Sequence, residues 1–199
     1  VTYSFVSYLS NFGFIVSFVN NTVSYGNGGA IFSYANMNID GVNVSFVDNY
    51  ASDHAGAIAV PYNLSISGVN VSFVNNSAGS SGGAIQASDM NIGGVNVSFV
   101  NNSAGSRGGA IDFMGDMESV GIISGVNVSF VNNSANGTGG AIQLDIMHLD
   151  KNTAFIIEGS NVSFEGNNAT SGGAISIDID GLVEAFNNTI VLSDTRLGN

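Results

Sequence analysis

The chain has 199 residues, of which 44% are hydrophobic and only 9% are charged, well below the roughly 25% of an ordinary soluble domain. Its net charge of −12 opposes contact with nucleic acid or anionic lipid, and the absence of cysteine removes disulfides and thiolate metal sites. No run of about 18 apolar residues occurs and the N-terminus lacks the positive start of a signal peptide, so we expect a soluble segment whose export signal is removed or lies elsewhere.

Two sequence blocks alternate along the chain. The first is Gly-Val-Asn-Val-Ser-Phe-Val-Asn-Asn-Ser, which begins at Gly68, Gly94 and Gly125 and, in weaker form, at Gly41 and Gly159. The second is Gly-Gly-Ala-Ile, with Ala55 in place of the first glycine in one copy; its complete copies begin at Gly28, Gly82, Gly108, Gly139 and Gly172. Such regular self-similarity indicates a stacked repeat architecture.

Alternation of apolar and polar residues predicts a half-buried strand in each block. In the first block we expect Val69, Val71 and Phe73 to point inward. In the second block, the last copy predicts inward Ile175 and Ile177. A further apolar pair follows several copies, as at Met37 and Ile39 or Met90 and Ile92, giving about three strands per repeat.

The period of 26 to 28 residues in the regular copies is too short for propeller blades and contains no helical pattern. We therefore predict an all-β fold, a right-handed single-stranded parallel β-helix with loop insertions. One domain is expected over 1–199, with repeats from about 14 to 180 and a final coil or C-terminal edge over 181–199. Stacking predicts an inner column of phenylalanines, namely Phe18, Phe46, Phe73, Phe99, Phe130 and Phe164.

An asparagine follows each of these phenylalanines by three residues. We expect these side chains to form a buried amide ladder that bonds the backbone and the asparagines above and below; the alternative is that they are only turn residues. The column comprises Asn21, Asn49, Asn76, Asn102, Asn133 and Asn167. Gly82 and Gly83, with their equivalents, are expected at a bend that requires positive φ or close backbone approach.

The combination of Phe-x-x-Asn with Gly-Gly-Ala-Ile, running from about Phe18 to Ile179, resembles the repeat of the chlamydial polymorphic outer membrane proteins and of adhesin-like surface proteins in other microbes. The resemblance implies a parallel β-helix passenger region that is displayed at the cell surface and used in adhesion.

Asn-x-Ser/Thr sequons are dense, which predicts either N-linked glycans or polar repeat residues that match the motif by accident. One column is expected to point outward from mid-strand and comprises Asn43, Asn70, Asn96, Asn127 and Asn161. A second column is expected outside the bend at Asn20, Asn75, Asn101 and Asn132, with a further sequon at Asn136. A glycan is wider than the rung spacing of about 4.8 Å, so the bend column is the preferred acceptor.

Carboxylates are the only candidates for catalysis or metal binding. Asp112, Asp145, Asp178 and Asp180 follow the glycine block, where they could form an acid and base pair or hold Ca²⁺, but we expect a solvated acidic face without nearby bases.

Two histidines lie beside carboxylates. His148 is close to Asp145 and Asp150 in an insertion, and His54 beside Asp53 is expected in an exposed turn. We predict no catalytic residue, no cofactor and no bound metal apart from the Ca²⁺ alternative.

Three functions remain open from the sequence. The first is an extracellular or cell-surface adhesive scaffold whose faces and insertions, over 113–123 and 145–155, bind a cell-surface or matrix partner. The second is a subunit of an extracellular filament or sheath that self-associates through exposed β-edges. The third, a carbohydrate-active enzyme, is the least favoured. No nucleic-acid partner and no membrane insertion by this segment are expected.

Overall fold

The computed structural model describes residues 6–9, 15–116, 118–147, 153–179, 190–192 and 195–197. Within these residues every regular element is a β-strand, all strand pairs are parallel, and successive coils stack along one axis. The predicted parallel β-helix is therefore confirmed. No helix in the described part of the chain is long and apolar enough to cross a membrane.

The strands form three sheets that run along the stack. The first sheet contains β1 (Val6–Leu9), β4 (Ile31–Phe32), β5 (Asn36–Ile39), β8 (Ile58–Ile66), β11 (Ile85–Ile92), β14 (Ile111–Gly115), β15 (Val120–Ile123), β18 (Ile142–Ile146), β19 (Ala154–Ile157), β21 (Ile175–Ile179) and β22 (Ile190–Leu192). The second contains β2 (Val16–Val19), β6 (Val42–Val47), β9 (Val69–Val74), β12 (Val95–Val100), β16 (Val126–Val131), β20 (Val162–Glu165) and β23 (Thr195–Leu197). The third contains β3 (Thr22–Val23), β7 (Tyr50–Ala51), β10 (Ser77–Ala78), β13 (Ser103–Ala104) and β17 (Ser134–Ala135).

The interior is built from columns of identical side chains. The six phenylalanines of the repeat stack with ring centroids 4.7 to 4.9 Å apart and ring planes within 2 to 4° of parallel. Isoleucines from the glycine block form a second buried column, as in the register pairs Ile85 with Ile111 and Ile111 with Ile142. Each such side chain contributes roughly 1.5–3 kcal/mol by its removal from water.

The Gly-Gly pair makes the corner between the third and first sheets. Gly82 has φ +68°, a conformation that L side chains rarely adopt. At Gly83 an added Cβ would lie only 2.0 Å from the carbonyl oxygen of Gly109 in the next coil. The first glycine is thus required by its backbone angle and the second by close stacking. Ala55 replaces the first glycine in one coil and keeps the positive φ, at 58°.

The second sheet departs from strict alternation, so the inward orientation predicted for Val69 is wrong. Val69 is 38% exposed, and its equivalents Val95 and Val126 are 38% and 44% exposed. The residue that follows Val69 is Asn70, which has φ 56° and is skipped in the pairing register, where Val69 pairs with Val95 and Val71 with Val97. This left-handed residue recurs at the same position in both paired strands and resets the alternation without an extra residue in either strand. Val71 and Phe73 are buried, as predicted.

Candidate functional site

The asparagine that follows each phenylalanine is held in an amide ladder inside the corner between the second and third sheets. The Asn76 side-chain nitrogen donates to Asn102 Oδ1 at 3.0 Å and to the carbonyl oxygen of Phe46 at 3.0 Å. Its own Oδ1 accepts from the backbone and side-chain nitrogens of Asn49, at 3.1 and 2.8 Å. Both amide hydrogens and both oxygen lone pairs are therefore occupied.

The same pattern recurs along the stack. Asn49, Asn76, Asn102 and Asn133 are buried, while Asn21 and Asn167 are half-buried. Each side-chain nitrogen from Asn21 to Asn133 donates to the asparagine of the following coil. A fully satisfied buried network of this kind stabilises the stack and has no free group for a ligand.

A second ladder lies on the outer surface of the second sheet and runs in the opposite direction. The side-chain nitrogen of Asn70 donates to Oδ1 of Asn43 in the preceding coil at 2.9 Å. The pattern repeats at 2.9 to 3.0 Å from Asn96 to Asn70, from Asn127 to Asn96 and from Asn161 to Asn127. These asparagines are exposed, and each of the four donors has one amide hydrogen that bonds no group among the described residues.

The outer ladder borders a groove of about 650 Å³. Its lining residues are Asn70, Ser72, Asn96, Ser98, Asn127, Ser129, Asn161, Val162 and Ser163. The hydroxyls of Ser72, Ser98 and Ser129 are half-buried and bond no side chain or backbone group in the described part of the protein. No lining residue is charged. We name the outer surface formed by these asparagine and serine columns the Asn-Ser face.

The Asn-Ser face is identical from coil to coil. Strands β6, β9, β12 and β16 all read Val-Asn-Val-Ser-Phe-Val, including the outward asparagine and serine. On the first sheet of the same coils, one register column reads Ala59, Gln86, Asp112 and Gln143. All four of these residues are buried, so this diverged column lies inside the protein, whereas the constant asparagine and serine columns line its outer surface.

The predicted solvated acidic face is wrong for two of its members. Asp112 is 0% exposed; Gln86 Nε2 donates to its Oδ2 at 3.0 Å, and its Oδ1 has no partner within the described residues. Burial raises the pKa of the Asp112 carboxyl, although Gln86 and Arg107 act to lower it. Arg107 forms an ion pair with Asp145, so a cationic side chain does lie near these acids. The cause is the cross-coil packing of side chains beside the glycine corner.

The remaining acidic and histidine candidates do not converge. Asp178 is exposed and pairs in register with Asp145. His54 is half-buried rather than in a fully exposed turn, and its Nε2 lies 3.2 Å from Asp53 Oδ1. Asp180, His148 and Asp150 lie outside the described residues. Across the described ranges, no three acidic or histidine side chains are grouped so that they could hold a metal ion.

The bend sequons differ from the mid-strand sequons in their bonding. Asn20, Asn75, Asn101 and Asn132 are exposed, have φ between 53 and 56°, and form no side-chain hydrogen bond within the described part of the chain. Asn136 is exposed as well. These side chains are accessible to a modifying enzyme.

Exposed aromatic residues form a second surface feature, which the sequence analysis missed. Phe32 and Tyr34 pack edge to face with centroids 4.6 Å apart and are 44% and 77% exposed. Tyr62, which is 51% exposed, lies in the adjoining strand β8. All six tyrosines occur within the first 62 residues, and this asymmetry was visible in the sequence.

Comparison with known proteins gives one family. The Chlamydia polymorphic membrane protein repeat matches residues 15–34, 70–88, 96–113, 127–145 and 161–178. The coil in which Ala55 replaces the first glycine lies between the first two matches. No curated protein and no solved structure matches the chain.

Proposed function

Because the chain carries tandem repeats of the Chlamydia polymorphic membrane protein family, we propose that it is an adhesive module of a cell surface. The adhesive surface in this proposal is the Asn-Ser face. The observation that carries it is the groove along that face, lined by the same uncharged hydrogen-bonding groups in successive coils.

The repeated face suits adhesion because its contacts are equivalent and additive. A partner that spans several coils meets the same asparagine and serine at each step of about 4.8 Å. Individually weak contacts then combine through their high effective concentration. The net charge of −12 disfavours polyanionic partners, so recognition depends on neutral polar groups.

The acidic residues beside the glycine corner have no part in this adhesion. Asp112 has no exposed surface through which to contact a substrate, and the Asp145 carboxylate is held by Arg107. Neither residue belongs to the groove. Neither acid therefore takes part in the proposed adhesive contact.

Attachment of protein-coated beads to cultured cells tests adhesion. We expect saturable attachment that soluble protein competes away. The double variant Ser98→Lys/Ser129→Lys places two long charged side chains in the groove and should abolish attachment, because charge and bulk enter a neutral site. Ser103→Lys/Ser134→Lys on the third sheet is the matched control and should attach normally. Absence of saturable attachment to every cell type tested would contradict the function.

A further inference from the structure

We propose that the groove of the Asn-Ser face binds a neutral linear polysaccharide whose chain lies along the axis of the β-helix. This inference rests on the proposed adhesive function and names the partner of the same site. Three observations support it. Polar groups in the groove have no partner among the described residues, the lining carries no charge, and the lining repeats from coil to coil.

The groove offers both kinds of hydrogen-bonding group at each coil. The hydroxyl of Ser98 can donate and accept, and it bonds no described protein group. Asn96 uses one amide hydrogen and accepts one bond in the outer ladder, which leaves one hydrogen and one lone pair for a ligand. Sugar hydroxyls also donate and accept together, so a polyhydroxylated chain can satisfy both columns.

The charge of the site restricts the class of sugar. None of the nine lining residues carries a charge, and the chain as a whole has only three lysines and arginines against 15 acidic residues. A uronate, sulfate or sialate polymer would therefore meet repulsion without a cation to offset it. A neutral polysaccharide meets no such penalty.

Because the same side chains line the groove at every coil, a partner made of repeating units fits it best. Parallel strands are spaced about 4.8 Å apart. This distance is close to the length of one sugar ring in an extended chain, so consecutive sugar units can face equivalent side chains. Beside the asparagine column, exposed Val69, Val95 and Val126 offer apolar contact to the C–H faces of sugar rings.

Affinity electrophoresis and calorimetry with the full chain test this inference. The probes are mannan, xylan, dextran and soluble cello- and chito-oligosaccharides, with alginate and polygalacturonate as anionic comparisons. We expect binding to at least one neutral polymer, tighter binding to its hexamer than to its dimer, and none to the anionic polymers. The triple variant Ser72→Ala/Ser98→Ala/Ser129→Ala should bind at least about tenfold more weakly, since three hydrogen bonds are lost.

Two controls keep the result specific to the groove. In protein produced without N-glycosylation, Ser77→Ala/Ser103→Ala/Ser134→Ala removes a serine column of the third sheet from the same coils and should bind normally. Tyr34→Ala removes the centre of the exposed aromatic surface and should also bind normally. Thermal unfolding of each variant verifies that it is folded.

The other outcomes overturn the inference in distinguishable ways. Loss of sugar binding in Tyr34→Ala but not in the groove variant would show that the sugar binds at the exposed aromatic residues instead of in the groove. Attachment to cells without binding to any polysaccharide would show that the partner is not a polysaccharide, while the adhesive function would still hold. Self-association that disappears in the groove variant would identify a second copy of the chain as the occupant. Failure of both cell attachment and sugar binding would overturn both proposals.

Discussion

The inner asparagine ladder makes a single side chain responsible for four hydrogen bonds. Asn102 accepts from two nitrogens of Asn76 and donates to the Phe73 carbonyl and to Asn133 Oδ1. All four partners lose a bond if the amide is removed, and they lie where water has little access. An unsatisfied buried polar group costs about 1–3 kcal/mol.

Replacement of Asn102 by leucine should therefore lower the free energy of unfolding by about 3 kcal/mol or more. Asn101→Gly is the matched control, because Asn101 is exposed and glycine retains its positive φ of 54°. Its effect should be a small fraction of that value. Urea or thermal unfolding measures the stability of both variants. Equal effects of the two substitutions would show that the inner asparagine ladder does not stabilise the fold.

Asp112 affects stability in a different way, because burial of its ionised carboxylate lowers the stability of the fold at neutral pH. Burial raises the pKa of its carboxyl above the ordinary value of 3.8. Between that value and the raised pKa, the folded protein binds a proton that the unfolded chain has lost. Stability from this group is fully present below 3.8 and falls as the pH rises through the raised pKa.

Asp112→Asn should therefore raise the midpoint of thermal unfolding by a few degrees at pH 7. The advantage should shrink as the pH is lowered and vanish below the ordinary carboxyl pKa, because the wild-type side chain is then neutral too. Asp178→Asn, an exposed change on the same sheet, should have little effect at either pH. A variant less stable than wild type at pH 7 would show that the ionised carboxylate is needed in place.

The burial of Asp112 could not be predicted from the alternation of residues in its own strand. The pattern of the strand placed it outward, where carboxylates are normally solvated. Its environment comes from other coils: Gln86 lies one coil before, and Arg107 reaches past it to Asp145 one coil after. Sequence periodicity reveals which residues share a column, but it does not reveal how long side chains fold over their neighbours.

Among the elements, the strands of the second sheet are defined by a left-handed asparagine. Asn43, Asn70, Asn96, Asn127 and Asn161 all have φ between 55 and 61°. Asparagine tolerates this region better than other L residues, and a β-branched side chain does not. The repeated asparagine therefore serves the backbone as well as the outer ladder.

Two substitutions at Asn96 separate these roles. Asn96→Gly and Asn96→Val both remove the ladder bonds, but only valine conflicts with the φ of 55°. We expect Asn96→Val to be less stable than Asn96→Gly by about 1–2 kcal/mol in denaturant unfolding. Equal stabilities would mean that the strand can straighten at this position and that the left-handed conformation is dispensable.

The same left-handed asparagine limits what could be predicted from the alternation of apolar and polar residues. Repeat spacing identified the coils, the phenylalanine column and the glycine corner, because each depends on residues that recur at one offset. Val69 was placed inward because alternation assumes an extended backbone at every residue. The sequence also contained the outward serines of the groove, but it did not show that their hydroxyls have no partner among the described residues, which depends on distances between strands.

The surface of the whole molecule carries few charged groups that could keep it hydrated. Only 9% of residues are charged, and the sequons are distributed over two distinct columns. Glycans on the mid-strand column would fill the groove and crowd at a spacing of about 4.8 Å. Glycans at the bend would leave the groove open and would hydrate an otherwise weakly polar surface.

We therefore predict that Asn75, Asn101 and Asn132 are modified in protein from its native source, while Asn70, Asn96 and Asn127 are not. Mass spectrometry of glycopeptides after enzymatic release in heavy-oxygen water distinguishes the two columns, since each released site gains a labelled aspartate. An unmodified mass of 20.3 kDa, or modification confined to the mid-strand column, would contradict the prediction.

The near-identity of successive coils also has a mechanical consequence. A pull along the long axis passes through each boundary between coils in turn, and these boundaries contain the same ring stack and the same two amide ladders. Coils therefore resist rupture at similar forces and peel away one after another. Each regular coil of 26 to 28 residues releases about 90 Å of chain when it opens. A module that anchors a cell would extend stepwise under load and dissipate work at every step, while the coils that remain closed keep their binding surface.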